Sequence, residues 1–131
     1  MNANAQRVST YFRLVDEERF EEMYALYHDD IVYHRSGVEP IVGKEALRAF
    51  FEGPRGIVSI RHEIDIVAID GECVALEGRA RAELANGASF DRRIAEFFWF
   101  RDGLVIRRHG YSDDVSPDDW PSPGSPPWGS P

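Results

Sequence analysis

Residues 59–111 read SIRHEIDIVAIDGECVALEGRARAELANGASFDRRIAEFFWFRDGLVIRRHGY, and three turn dipeptides at sixteen-residue intervals divide them into four segments. These dipeptides are Asp70-Gly71, Asn86-Gly87 and Asp102-Gly103, and each favours the positive φ angles of a tight β-hairpin turn. The segments between them are about a dozen residues long, and antiparallel strands of that length twist and curl. The second half of the chain is therefore predicted to form a curled meander of four strands.

The first half of the chain shows helical spacing of its apolar residues. Apolar side chains recur every three or four positions in Val8–Val15 and again in Phe20–Tyr27, which predicts two helices, the second ending at His28–Asp30. A short strand is predicted at Ile31–His34 and a third helix after Gly43. The predicted fold class is α+β, a cone-shaped curved antiparallel sheet with three N-terminal helices on its concave face and a deep apolar pocket.

Composition and charge set the broad class of the protein. The chain has 131 residues, enough for one domain, and 43% of them are hydrophobic, enough for a core. Lys and Arg number 15 against 23 Asp and Glu, a formal net charge of −8, which disfavours nucleic acid and anionic membranes as partners. The lone Cys73 excludes an intrachain disulfide, and the sequence shows no signal peptide or membrane-spanning stretch, so a cytoplasmic location is expected.

The composition changes near residue 115. Residues 115–131, VSPDDWPSPGSPPWGSP, contain six of the eight prolines together with Trp120 and Trp128. Proline at this density blocks both helix and sheet, which predicts an extended or disordered tail. The two tryptophans leave open a tail that folds back onto the domain or contacts a partner. We therefore expect a cone domain at residues 1–114 and a Pro-rich tail at residues 115–131.

Alternation along one predicted strand singles out Glu96. From Ala88 to Phe100 every second side chain shares a face, and Glu96 lies on the more apolar face between Ile94 and Phe98. Burial there would raise the pKa of the carboxyl group and favour its neutral form, which can donate a hydrogen bond or move a proton. The alternatives are a Glu96 that pairs with a buried arginine or one that faces a subunit interface.

Two strand histidines are further candidates. His62 shares a face with several isoleucines, so it could point into the cone, although a lone histidine there is more often structural than catalytic. On the last strand His109 and Tyr111 share one face and Arg108 lies on the other, and periodicity leaves open which face is inside. No metal-ligand spacing accompanies these histidines, so neither a metal nor another cofactor is expected.

Two segments of the chain resemble a known superfamily. Residues 10–51, TYFRLVDEERFEEMYALYHDDIVYHRSGVEPIVGKEALRAFF, resemble the N-terminal half of nuclear transport factor 2-like proteins, and residues 97–114, FFWFRDGLVIRRHGYSDD, resemble their closing hairpin. The chain is similar to the ketosteroid isomerases and the SnoaL-like polyketide cyclases of that superfamily. The resemblance covers about residues 5–114 and implies the cone fold, whereas the superfamily hosts many reactions as well as non-enzymes.

The resemblance also implies roles for individual residues. Tyr11 matches the helix-one tyrosine that donates to the developing oxyanion in ketosteroid isomerases, and Glu96 falls where those enzymes keep a protonated aspartate. Tyr111 matches an aromatic residue that lines the pocket, which would turn His109 inward on the same strand. At the position of the isomerases' aspartate base this chain has His34-Arg35, which argues against the steroid isomerisation itself.

The similarity to SnoaL-like cyclases implies acid–base catalysis, without a cofactor, on a hydrophobic, polyketide-like small molecule. Tyr11 and Glu96 would polarise a carbonyl or epoxide oxygen, and His109 would accept the proton. Arg35 would either bind an anionic group of the substrate or pair with Glu96. The other expected substrate contacts are Tyr33, His62, Phe98, Tyr111 and Asp113. Of these, Tyr33 and Asp113 are also secondary candidates for moving a proton.

The sequence is also compatible with two alternative functions, and it predicts a homodimer. An epoxide hydrolase or epoxide-opening cyclase would have two close carboxylates around one water. A non-catalytic binding or assembly module would have a pocket filled by Phe98, Trp99 and Phe100, with Glu96 in a salt bridge. Phe97 and Trp99 on the outward face also predict a homodimer formed through the sheet, because large exposed aromatic side chains usually mark an interface.

Overall fold

A computed structural model of the chain describes residues 2–53 and 56–113. It confirms the α+β class, with three helices and a curved six-stranded sheet in these ranges. The elements in chain order are α1 (Ala3–Asp16), α2 (Phe20–Tyr24), β1 (Tyr27–Arg35), β2 (Ile41–Val42), α3 (Lys44–Glu52), β3 (Ile57–Asp70), β4 (Cys73–Leu84), β5 (Ser89–Arg101) and β6 (Leu104–Ser112).

The six strands form one sheet in the spatial order β2-β1-β6-β5-β4-β3. Strands β3 to β6 form the predicted antiparallel meander, and the first three of them are 14, 12 and 13 residues long. Strand β1 lies beside β6 and runs parallel to it. Hairpin signals do not predict this pairing, because the two strands come from opposite ends of the domain. The sheet is therefore antiparallel except for this one pair.

The hairpins turn where the dipeptides predict. Asp102 and Gly103 are the two residues between β5 and β6, and their φ angles are 51° and 78°. Positive φ at both central residues is the geometry of a type I′ turn, which matches the right-handed twist of the flanking strands. Gly71 and Gly87, in the other two hairpins, also have positive φ angles. All three predicted turns are confirmed.

The second helix is shorter than its apolar spacing predicts. It ends at Tyr24, and His28–Asp30 belong to β1 rather than to the end of the helix. The backbone N–H of Val105 in β6 donates to the carbonyl oxygen of Leu26 at 2.9 Å, and Tyr27 pairs with the same residue. The sheet thus satisfies the backbone groups that would otherwise extend the helix, and it buries the Tyr27 side chain.

A β-bulge in β6 decides which of its side chains face the helices. The pairing of β5 with β6 changes register at Ile106, which is an extra residue on its strand. The shift reverses the alternation, so that Val105 and Arg108, three positions apart, are both buried on the inner face of the sheet. The next residue, His109, therefore lies on the outer face.

The helices pack on the concave face of the sheet, as predicted. Helix α1 places Tyr11 and Phe12 against Phe98 of β5, with ring centroids 5.6 and 5.9 Å apart. Helix α3 contributes Leu47 and Phe51 to the same core. The C-terminal parts of α1 and α3 and the strands that they cover line the candidate site.

Some of the sequence predictions concern parts of the chain that the structure does not describe. The predicted tail, residues 115–131 with Trp120 and Trp128, lies outside the described residues, so the domain boundary at residue 114 stays a prediction. Within residues 2–53 and 56–113, no helix is long and apolar enough to cross a membrane. In the same ranges, no three His, Cys, Asp or Glu side chains are grouped so that they could hold a metal ion.

Candidate functional site

A cavity of about 770 Å³ lies between the concave face of the sheet and helices α1 and α3. Its volume is within the range of small-molecule binding sites. Both helices and the strands supply apolar side chains to its wall, among them Val15, Phe50, Phe51, Ile60 and Ile94. Six of the predicted site residues line it, namely Tyr11, Tyr33, Arg35, His62, Glu96 and, at the rim, Tyr111.

A buried ion pair between Glu96 and Arg108 forms part of the cavity lining. The Arg108 Nε–H donates to Glu96 Oε1 at 2.6 Å, and Nη2 lies 2.6 Å from the same oxygen. Each residue is only 5% exposed. Burial acts to lower the pKa of Arg108, but the Glu96 carboxylate raises it, and the net pKa is well above its ordinary value. The guanidinium therefore keeps its charge.

This ion pair corrects the prediction of a neutral Glu96. A neutral carboxyl group would leave the charge of Arg108 buried without a counter-ion, which is strongly unfavourable. The structure instead has the alternative in which Glu96 pairs with a buried arginine. Strand alternation placed Glu96 on the correct face, whereas on β6 it left the inward face open, and the register against β5 places Arg108 there.

Three buried tyrosines surround the Arg108 guanidinium. Its Nη1 donates to the hydroxyl oxygens of Tyr11 and, at 2.8 Å, of Tyr27, and its central carbon lies 4.3 Å from the ring centroid of Tyr33. Burial raises the pKa of all three hydroxyl groups, although the charge of Arg108 opposes this. The phenols therefore stay protonated at neutral pH. Tyr33 lines the cavity, and its hydroxyl makes no hydrogen bond within the described part of the chain.

His62 lies in the cavity wall, where Asp16 at the end of α1 holds it. The His62 Nδ1 is 2.6 Å from Asp16 Oδ1, and the backbone N–H of His62 donates to Oδ2 at 2.9 Å. Because an ionised carboxylate only accepts hydrogen bonds, Nδ1 carries the proton, and a neutral ring then has its lone pair on Nε2. The ring packs 4.7 Å from that of Phe12. His62 therefore faces the inside of the cone, as its strand periodicity predicts.

Arg35 ends β1 and stacks on an aromatic side chain of α3. Its guanidinium carbon lies 4.3 Å from the ring centroid of Phe50 and 6.0 Å from that of Tyr33. Its buried Nε has no hydrogen-bond partner, and the guanidinium forms no ion pair with the described carboxylates. Of the two roles predicted for Arg35, pairing with Glu96 is therefore wrong, because Arg108 already occupies that carboxylate.

His109 lies on the outer face of the sheet, so the prediction that it accepts a proton in the cavity is wrong. Its ring packs against Trp99 and His34, with centroids 4.8 and 4.6 Å away, and its Nε2 accepts a hydrogen bond from Arg107 Nε at 3.0 Å. Burial lowers the pKa of His109, and the charge of Arg107 and electrostatic repulsion from His34 lower it further. After the bulge at Ile106, His109 pairs with the outward-facing Phe97, so His109 and Tyr111, which share a face, both point outward.

Three other predicted substrate contacts lie away from the cavity interior. Phe98 is completely buried beneath α1 and belongs to the core. Tyr111 reaches the cavity rim, but its half-exposed ring packs 6.3 Å from that of Phe97 on the outer face, because it follows the same alternation as His109. Asp113 is exposed and accepts the backbone N–H of Arg93 at 2.8 Å, so it caps the end of a strand.

Sequence reasoning missed two members of the site, Arg108 and Asp16. The signal for Arg108 was the buried carboxylate itself, since a charge on an inner face needs a counter-charge on the same face. The signal for Asp16 is its position as the last residue of α1, where the helix dipole disfavours a negative charge. An acid at that position indicates a partner elsewhere, which in the structure is His62.

The part of the sequence that forms the cavity identifies the family of the chain. A model of the SnoaL-like domain matches residues 8–108, a span that begins in α1 and ends at Arg108. The chain belongs to the SnoaL-like family. The resemblance that the sequence motifs indicated is thereby confirmed. No curated protein matches this SnoaL-like chain.

Solved structures share the fold of this SnoaL-like protein at low sequence identity. A nuclear transport factor 2-like protein of unknown function from Burkholderia pseudomallei is 19% identical and superposes with a TM-score of 0.80. The aligned region covers 86% of this chain and 92% of that protein. A candidate polyketide cyclase from Xanthomonas campestris pv. campestris is 19% identical and superposes with a TM-score of 0.76, and the alignment covers 83% of this chain and 89% of that protein. An LEH-like epoxide hydrolase from M. tuberculosis is 21% identical and superposes with a TM-score of 0.76, and the alignment covers 85% of this chain and 83% of that protein. At these identities the likeness shows the cone fold alone.

Proposed function

We propose that this SnoaL-like protein is a cofactor-independent acid–base enzyme, a cyclase or isomerase, that acts on a hydrophobic, polyketide-like small molecule in the cavity. One observation carries the proposal. The same cavity contains the Glu96–Arg108 ion pair with its phenol groups and, in its wall, a histidine oriented by a carboxylate. Apolar walls around a few convergent polar groups are typical of sites that bind and transform small molecules.

Tyr33 and Arg108 would stabilise negative charge on a substrate oxygen. When a proton leaves the carbon next to a carbonyl group, charge develops on the carbonyl oxygen, and donors already fixed in place stabilise it. The protonated Tyr33 hydroxyl can donate into the cavity, and the charge of Arg108 lies against the ring of the same residue. Tyr11, the donor that the resemblance assigns, is bound to Arg108 and would act through the same network.

His62 would move the proton. Asp16 holds the Nδ1–H, so Nε2 is the atom that can accept a proton from the substrate, and the carboxylate would stabilise the imidazolium that forms. His62 lines the cavity together with Tyr33 and Glu96. It therefore takes the role that the sequence assigned to His109.

A direct test follows the exchange of the α-protons of 2-tetralone, an apolar ketone, in D₂O without an added cofactor. His62 Nε2 would take an α-proton and leave an enolate bound by Tyr33, and the imidazolium, after exchange with solvent, would return a deuteron to the same carbon. Proton NMR measures the loss of the α-proton signal. We expect the wild type to exceed the buffer rate and His62→Gln to lower the catalysed rate by about 100-fold, since general-base catalysis typically contributes about 10²–10⁴.

His109→Gln is the matched control, because it removes a histidine from the outer face of the same sheet. It should exchange 2-tetralone at the wild-type rate, and circular dichroism should show that both variants are folded. A wild-type rate no faster than buffer would contradict the proposal. A His62→Gln rate equal to that of the wild type would do so as well.

The two alternative functions find less support in the site. Among the described residues that line the cavity, Glu96 is the one carboxylate, whereas the epoxide-opening alternative was predicted to have two around one water. The binding-module alternative has its predicted salt bridge at Glu96 but not its filled pocket. Phe98 and Phe100 lie in the core, and Trp99 packs on the outer face.

A further inference from the structure

We propose that Arg35 binds an anionic group of the substrate, so that the natural substrate is an organic acid with an apolar body. This inference rests on the proposed function, since it assumes that the cavity is where the substrate binds. It turns on a cavity arginine that aromatic contacts hold in place and that has no anionic partner in the described chain.

Aromatic contacts hold the Arg35 guanidinium in place. Its central carbon is 4.3 Å from the Phe50 ring centroid, a stacked position that a guanidinium favours. The Tyr33 ring lies on another side of the group, at 6.0 Å. A guanidinium fixed in this way presents its donors in a planar fork that matches the two oxygens of a carboxylate.

The hydrogen-bonding capacity of Arg35 is not used within the described chain. Its Nε is buried and has no hydrogen-bond partner, and buried donors of charged groups are nearly always paired in native proteins. Asp and Glu outnumber Lys and Arg by 23 to 15 in the sequence, yet none of the described carboxylates forms an ion pair with Arg35. A bound ligand would supply the missing acceptor.

The charge of the cavity favours the same type of ligand. Of the described carboxylates, Glu96 is the one that lines the cavity, and Arg108 neutralises it. The charge of Arg35 is thus not balanced by any described lining residue, although the protein as a whole carries a formal charge of −8. An anion entering the cavity would therefore meet a positive charge that no described lining carboxylate neutralises.

The position of Arg35 also connects the anion to the proposed chemistry. The Tyr33 ring contacts the guanidinium groups of both Arg35 and Arg108. A carboxylate held by Arg35 would therefore place the adjoining part of the ligand beside the Tyr33 hydroxyl and the Glu96–Arg108 pair. The apolar body would lie against the hydrophobic lining, which includes Phe51, Ile57, Ile60, Phe90 and Ile94.

Isothermal titration calorimetry with two matched probes tests the inference. The probes are 2-naphthoate, which is anionic at neutral pH, and 2-naphthamide, which has the same ring system and no charge. We expect the wild type to bind the naphthoate about 10- to 100-fold more tightly, the range of a charge-assisted hydrogen bond. Arg35→Met, which keeps an apolar stem, should lose this preference while it binds the amide as the wild type does.

Two further variants keep the result interpretable. Arg107→Met removes an arginine from the outer face and should retain the full preference for naphthoate. Arg35→Lys keeps the charge without the planar fork and should show an intermediate preference, which covers the case in which Arg35→Met fails to fold. Equal affinities of the wild type for the two probes, no binding of either, or an Arg35→Met variant that keeps the preference would overturn the inference.

The two proposals can fail separately. If 2-tetralone exchange depends on His62 but naphthoate has no advantage over the amide, the anion site is wrong and the acid–base function stands. If naphthoate binding depends on Arg35 but no catalysed exchange occurs, the anion site stands and the acid–base function is wrong.

Discussion

The inner and outer faces of the sheet each carry an ion pair, and the two pairs differ in their contact with water. On the inner face the side chains of Glu96 and Arg108 are each 6% exposed, whereas on the outer face those of Glu77 and Arg93 are each 47% exposed. Water and salt screen the outer pair, so it contributes little to stability. The inner charges are desolvated, so each depends on the other. The same residue types are therefore surface charges on one face and fixed parts of a cavity on the other.

Other side chains repeat this contrast between the faces. Tyr33 and His62 line the cavity, whereas His109 packs on the outer face and Tyr111, at the cavity rim, packs against Phe97 of the outer face. Each group that could do chemistry inside thus has a counterpart of the same type outside. These counterparts provide matched controls for variants of the site.

The largest expected effect is the loss of stability when the inner ion pair is broken. Glu96→Gln should lower the free energy of unfolding by about 3–5 kcal/mol, because it leaves the charge of Arg108 buried without a partner. Glu77→Gln, its counterpart on the outer face, should cause only a small fraction of that loss. Urea unfolding of the two variants measures the difference, and equal losses would show that the faces do not differ as described.

A smaller effect is expected when the cavity phenol is changed. Tyr33→Phe should slow the catalysed exchange of 2-tetralone by about 100-fold, the usual effect of removing one donor to a developing oxyanion. Tyr111→Phe, on the outer face, should leave the rate unchanged. The NMR exchange assay distinguishes them. A Tyr33→Phe variant as active as Tyr111→Phe would remove Tyr33 from the mechanism.

The outer face is also where the homodimer is predicted. Phe97 is 38% exposed and stacks on Trp99 with ring centroids 5.9 Å apart. We expect the wild type to sediment as a dimer and Phe97→Lys as a monomer, because a charge in an apolar interface is costly. Val42→Lys changes an exposed apolar residue on the edge strand β2 and should leave the dimer intact. A monomeric wild type would contradict the predicted assembly.

The smallest expected effect concerns the pH dependence of stability on the outer face. Burial, the charge of Arg107 and electrostatic repulsion from His34 hold the pKa of His109 below its ordinary value of 6.5. As the pH falls through 6.5, His109 takes up a proton in the unfolded chain before it does so in the folded chain. The free energy of unfolding is therefore highest above pH 6.5 and decreases as the pH falls toward the lower pKa of the folded state. Between pH 7 and pH 5, Tm should therefore fall more steeply for the wild type than for His109→Gln. Parallel Tm curves for the two proteins would contradict this account of His109.

The sequence predicted those features that depend on local signals. The three turn dipeptides fixed the hairpins because their backbone conformations are set by two residues. Alternation between Ile94 and Phe98 was enough to place Glu96 on the inner face. Gly43 likewise marked the start of α3 at Lys44.

The features that the sequence did not predict depend on pairing between distant residues. Periodicity along β6 left open which of its faces is inside, and the resemblance turned His109 inward; the register of β6 against β5 instead places Arg108 inside and His109 outside. Asp16 and His62 are 46 positions apart, so no spacing rule connects them. The sequence therefore predicted the inward positions of Glu96 and His62 correctly. Their partners, Arg108 and Asp16, are known only from the folded structure.

If ligands bind and react on the inner face, one NMR measurement shows it directly. A long-range ¹H–¹⁵N spectrum resolves the side chains of all four histidines, and 2-tetralone is then added at millimolar concentration. We predict that the ring signals of His62 shift, with Nδ1 protonated in the free protein, while those of His34 and His109 stay in place. Shifts at His34 and His109 with His62 unchanged would contradict the account.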